Sequence, residues 1–93
     1  MTKTSRFDAA EYLTSEADYA AYLEAALEEN DPEFFVKALG TVARACGMTQ
    51  IARDAGLSRE SLYKALSGAG NPQFVTIAKV MKAIGVKLSI QVA

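Results

Sequence analysis

Between positions 48 and 66 the chain reads MTQIARDAGLSRESLYKAL, and this stretch gathers the side chains best suited to molecular recognition. Arg59 carries a planar fork of donors that matches guanine O6 and N7, and Glu60 can accept from cytosine N4. Tyr63 offers a ring face to a thymine methyl, while Lys64, Thr49 and Gln50 are of the types that hold phosphate oxygens. Other chemistries are poorly supplied. The chain contains no histidine, which removes the usual general base and the commonest nitrogen ligand of zinc. Its single cysteine, Cys46, excludes an internal disulfide and reads as a small buried hydrophobe at the end of an apolar stripe. No phosphate loop or paired-carboxylate site stands out, so an enzyme is not expected.

These side chains need two short helices set at an angle. Thr49 can cap the first, which turns Ile51, Ala52 and Ala55 inward. Gly56 supplies the positive φ that stops it, Leu57 fills the gap, and Ser58 caps the second helix with Leu62, Ala65 and Leu66 inside. Ala52, four residues before the turn glycine, lets the two helices cross closely. The spacing Ala52, Gly56, Leu57, Leu62 is that of a helix-turn-helix, with a plain helical hairpin as the simpler reading. Projected at 100° per residue, Glu60, Tyr63, Lys64 and Ser67 fall away from the apolar side, with Arg59 at the edge of the first turn. Glu60 beside Arg59 favours base reading, although a Glu60–Lys64 pair at i, i+4 also accounts for it.

The flanking elements follow the same logic. Phe7, Tyr12 and Leu13 suit a short arm, and Thr14 or Ser15 can cap a helix over about residues 16–29 with Tyr19, Ala20, Leu23, Ala26 and Leu27 on one face. Asn30-Asp31-Pro32 then predicts a stop and a fresh start, with Asp31 as cap and Pro32 at the first helical position. The next face is Phe35, Ala38, Leu39, Val42, Ala43 and Cys46, closed by Gly47 in the left-handed region. After Gly68-Ala69-Gly70, Asn71-Pro72 forms another capping pair, and Phe74, Ile77, Ala78, Met81 and Ile84 make a core stripe ending at Gly85. The period then changes. Val86, Leu88, Ile90 and Val92 alternate with Lys87, Ser89 and Gln91, which predicts a β-strand. The chain offers no second strand of this quality, so pairing with the same strand of a second copy is expected, through Val86, Leu88, Ile90 and Val92.

At 93 residues there is room for one domain, and roughly 60–65% of the extended-chain surface can be buried. The expected organisation is an acidic arm and helix over 1–31, a helix-turn-helix core over 32–85 and a strand over 86–93. The net charge of −1 hides a strong segregation. Residues 1–43 hold three bases against nine acids, and residues 44–93 hold seven bases against two acids. A local positive face is what phosphate binding needs, whereas acids that merely solvate one helix would explain the first half alone. No apolar run approaches a membrane span or a signal peptide, so a cytoplasmic location is expected.

The blocks FDAAEYL, ENDPEFF, ALGTVARACGMTQIARDAGLSRESLYKALS and GNPQFVTIAKVMKAIGVKLSI together resemble small bacterial addiction-module antidote proteins, the HigA-like antitoxins with a Cro-type helix-turn-helix. The run from Gly47 to Ser67, followed by Gly70-Asn71-Pro72, is the most specific part. The resemblance implies an all-α, five-helix Cro/lambda-repressor-like domain that binds operator DNA as a homodimer and needs no cofactor. DNA contact would fall on Thr49, Gln50, Ser58, Arg59, Glu60, Tyr63 and Lys64. It also implies a partner, a small basic RelE/ParE-like toxin, neutralised by an antitoxin that represses the shared operon. For such a partner the residues expected to dock are Tyr22, Glu24, Glu28 and Glu29, since the stretch from residue 7 to 31 holds no base. An orphan prophage-type regulator or a protein-interaction module without a toxin is the alternative reading.

Overall fold

The computed structural model describes residues 9–68 and 71–93, and the regular structure of these residues is entirely helical. A short 3-10 turn (Ala9–Tyr12) leads into α1 (Glu16–Leu27), α2 (Pro32–Cys46), α3 (Met48–Ala55), α4 (Arg59–Ala65) and α5 (Phe74–Ile84). The expected roles of Phe7 in an N-terminal arm and of Gly70 before the last helix lie outside the described residues.

Local signals set most of the boundaries. Ser15 caps α1 by accepting from the Asp18 amide at 3.1 Å. The Asp18 carboxylate reaches back to the Thr14 amide at 2.9 Å and the Thr14 hydroxyl at 3.2 Å, and this bonding, the amide first, holds its carboxyl below the usual range. At the other end Asn30 takes a left-handed φ of 57°, which asparagine tolerates, and α1 stops slightly short of the expected residue 29. Asp31 then accepts from the amides of Glu33 and Phe34, with Pro32 opening α2 where no amide is needed.

α2 is the hub. It packs on the 3-10 turn, α1, α3 and α5, and its inner face of Ala38, Leu39, Val42 and Ala43 is buried. Leu39 and Val42 are sealed completely, as are Leu62 of α4 and Val80 of α5, and each such side chain gains about 1.5–3 kcal/mol from leaving water. Gly40 keeps α2 close to the end of α4, where an added Cβ would lie 3.2 Å from the Leu66 carbonyl oxygen. In α1 the buried pair is Leu23 and Ala26, with Tyr19 and Tyr22 half-buried against the core. Ala20 and Leu27 instead line a shallow groove of about 250 Å³ under the C-terminal segment. None of the described helices is long and apolar enough to cross a membrane.

Several expectations need correction. Thr49 does not cap α3: the helix starts at Met48 directly after Gly47, with no side-chain cap. Gly47 sits at φ 104°, ψ 110°, outside the left-handed helical region, because it must turn one helix straight into the next. Asn71 and Pro72 do not cap α5, whose N-cap is Gln73. The α5 core stripe is Ile77, Val80, Met81 and Ile84, while Phe74 is 67% exposed and Ala78 faces solvent. That face is fixed by α2 and α3, against which α5 packs.

The β-strand expected at residues 86–93 does not form, and no strand occurs among the described residues. A strand needs a ladder partner, and the described residues provide none. The segment instead continues from Gly85 with the Val86 amide bonded to the Met81 carbonyl at 3.0 Å. Val86 packs on the core, whereas Leu88, Ile90 and Val92 are exposed, the last two completely.

Candidate nucleic-acid interface

The turn between α3 and α4 consists of Gly56, Leu57 and Ser58, and the amides of Gly56 and Leu57 are both bonded back to α3. Gly56 adopts φ 73°, ψ 30°, and its amide bonds to the Arg53 carbonyl at 3.2 Å. The Leu57 amide bonds to the Ala52 carbonyl at 2.8 Å, completing the paired closure that a left-handed glycine permits. Leu57 packs against the core, and Ser58 then caps α4 by accepting from the Ser61 amide at 3.0 Å. The Ser58 hydroxyl also donates to the Ser61 hydroxyl at 2.9 Å, so it is fully engaged in holding the helix start.

With Leu62 sealed inside, α4 turns Arg59, Glu60, Tyr63 and Lys64 to solvent. Arg59 and Tyr63, one turn apart, form a unit. The guanidinium lies 5.3 Å from the ring centroid and donates to the phenol oxygen at 3.3 Å. This stacking limits the arc over which Arg59 can swing while leaving further N–H groups of its fork available. Glu60 and Lys64 are both exposed, one turn apart on the outer side of α4.

Thr49 and Gln50 sit exposed in the first turn of α3, where Gln50 donates to the Asp54 carboxylate at 2.9 Å. An open groove of about 520 Å³ brings Thr49, Gln50, Arg59 and Tyr63 together, with Arg44, Gly47 and Met48 completing its wall. Four of the seven expected contact residues therefore share one concavity. Ser58 acts at the helix cap, and Glu60 and Lys64 lie on α4 outside the groove lining. Arg44 was not anticipated as a member. Its charge is visible in the sequence, but its position depends on α2 ending at Cys46 and α3 starting two residues later.

The groove contains donors, two guanidinium groups and an aromatic face, and no carboxylate lines it among the described residues. Such a surface can accept an anionic, planar-edged ligand. Cys46 lies apart, half-buried at the end of α2, with its thiol serving as a hydrogen-bonding influence on the Tyr19 phenol. That influence, with partial burial, pushes the Tyr19 phenol above its ordinary pKa.

A family model described as "Probable addiction module antidote protein" matches residues 3–92 of this sequence. The chain belongs to that family. It is also similar to a protein of Haemophilus influenzae described only as an uncharacterized protein, 56% identical over 85 residues that cover 91% of this chain and 88% of that one. No solved structure shows a significant match.

The position of the α4 start depends on Ser58. Ser58→Ala should cost about 1 kcal/mol, read as a lower urea midpoint with an unchanged slope. A midpoint within about 0.2 kcal/mol of the parent would show that the cap does not hold α4.

Proposed function

We propose that this chain is a sequence-specific DNA-binding repressor that acts as the antitoxin of a toxin–antitoxin module, and not an enzyme. In this reading it is HigA-like, with α3 and α4 as a Cro-type helix-turn-helix and α4 as the recognition helix in the major groove. The observation that carries the reading is the α3–Gly56–Leu57–Ser58–α4 unit, which is closed, capped and presents the stacked Arg59–Tyr63 pair to solvent. Arg59 reads guanine, Glu60 reads cytosine and Tyr63 contacts thymine, while Thr49, Gln50 and Lys64 hold phosphates and Ser58 sets the helix. Membership of the antidote family supports a toxin as partner, and we assign that partner to small basic proteins of the RelE/ParE-like kind, met in the cytoplasm.

Binding to a palindromic site in its own promoter, with half-sites about 34 Å apart, should weaken steeply with salt, log K falling by about 0.9 per log unit of salt for each phosphate contacted. Arg59→Ala should cost about 1–3 kcal/mol on that site and relax preference at one base pair, measured by titration against a panel of single-base variants. An equal loss on every sequence would make Arg59 a phosphate contact, and binding indifferent to salt would remove the DNA reading.

The repressor is proposed to act as a homodimer held by its C-terminal segment. Leu88, Ile90 and Val92 are exposed, and Phe74 and Val75 of α5 add to the apolar surface at this end of the chain, while Val86 anchors the segment to the core. A chain ending at Gly85 should sediment as a monomer with its helical circular dichroism intact and its operator affinity reduced. If it remains dimeric, the contact lies on α5 instead.

The toxin is proposed to dock on α1 and the turn after it, where Glu24, Glu28 and Glu29 are exposed and Tyr22 is half-buried. Exposed like charges of this kind steer encounter with a cationic protein more than they add affinity. Changing all three glutamates to Gln should slow association with the product of the adjacent gene several-fold at low salt. A rate unchanged within about twofold would assign the acids to solvation only.

A further inference from the structure

The DNA groove does not end at Arg59. A second concavity of about 380 Å³ continues from it, and Arg44, Met48 and Tyr63 line both. Its far side is formed by α2 through Lys37 and Thr41, and by Ser67 beyond the end of α4. Lys37, Thr41 and Arg44 stand at i, i+4 and i+7, one stripe of a single helix, with Lys37 and Arg44 both exposed. The stem of Lys37 is held in place. It crosses Gly68 so closely that an added Cβ there would lie 2.6 Å from the Lys37 Cγ. Neither concavity is lined by a carboxylate among the described residues, in a chain with eleven acids.

We propose that this α2 stripe is a second phosphate-binding track, in which Lys37 and Arg44 hold the sugar–phosphate backbone flanking the base-reading face of α4. The proposal rests on the DNA-binding reading above and extends it to a helix outside the helix-turn-helix. Seven residues of helix separate the two cations by about 10 Å along the axis. Along a duplex axis that distance is the rise of about three base steps at 3.4 Å each, within which a strand presents more than one phosphate. A regularly charged, extended polyanion can therefore meet both cations while its base edges face Arg59. Because the two concavities share Arg44, Met48 and Tyr63, an extended occupant can run from one into the other.

Lys37→Gln and Arg44→Gln, singly and together, test this in the full-length chain. Gln keeps most of the Lys37 stem over Gly68, and Lys37→Arg serves as the charge-retaining rescue. The measured quantity is the slope of log K against log salt, on the chain's own promoter duplex and on a scrambled duplex of equal length. Each Gln variant should lower the slope by about 1.8 in a dimer, one phosphate per subunit, equally on both duplexes. The double variant should lose about twice as much, and Lys37→Arg should restore the parent slope. The comparison is Lys79→Gln with Lys82→Gln, which removes two charges from a separate groove shared with Arg53 and Asp54 and should leave the slope unchanged. Parent-like slopes for the α2 variants, beside a parent that binds duplex DNA, would overturn the track and leave the DNA reading standing. An equal fall for the Lys79 and Lys82 variant would overturn it too, by reducing the effect to net charge. A parent that binds neither duplex would remove the DNA reading and this proposal together.

Discussion

One left-handed residue fixes what α4 offers to solvent. Gly56 turns the chain after two turns of α3, and the Leu57 amide is taken by the Ala52 carbonyl, so the turn cannot open without exposing an unpaired group. A side chain at φ 73° would carry a conformational cost even though an added Cβ meets nothing within 4 Å. The constraint is thus in the backbone and not in packing. Once it is met, Leu57 reaches the core, Ser58 falls at the cap and Leu62 points inward, which leaves Arg59 and Tyr63 no direction but outward.

The second determinant is α2, the element that touches most of the others. Its buried face of Leu39, Val42 and Ala43 orders α1, α3 and α5 around it, and Gly40 admits the end of α4. Its exposed stripe faces the grooves that run beside α4. One helix therefore acts as core on one side and as interface on the other, which is why Arg44 joins residues of α3 and α4. The segregation of charge along the chain becomes a segregation in space because α1 packs chiefly on α2, and none of its acids lines the groove with Arg59.

Much of this was legible in the sequence because it is local. Ser15, Asp31 and Ser58 as caps, and Gly56 and Gly85 as left-handed stops, are short-range hydrogen-bond chemistry that does not depend on the rest of the fold. The outward set on α4 followed from a helical projection once Leu62 was placed inside. Three local expectations failed, namely Thr49 and Asn71-Pro72 as caps and Gly47 as a left-handed stop, and the other failures are long-range. In α5 two apolar stripes share Ile77, Met81 and Ile84, and only packing against α2 and α3 chooses Val80 over Phe74 and Ala78. Alternation in VKLSIQV records which side chains share a face, but a ladder requires a partner that the described residues do not provide. Arg44 belongs to a different helix from Arg59, and nothing in their spacing of fifteen positions announces that they meet.

The exposed C-terminal end poses a question of magnitude for the proposed dimer. Ile90 and Val92 stand free in water, and burying each fully would gain about 1.5–3 kcal/mol. Two such side chains from each of two copies supply a sum comparable with the roughly 4–15 kcal/mol that association costs in lost freedom. The last residues alone would then only balance that cost. Leu88 is 41% exposed, and Phe74 and Val75, at 67% and 60%, extend the apolar surface onto the first turn of α5. A groove of about 260 Å³ between Phe74, Ala78, Met81, Val86 and Leu88 joins the segment to the helix. A stable dimer on this face must therefore cover the start of α5 together with the terminal segment, which makes the exposed position of Phe74 part of the same surface and not an exception to the core.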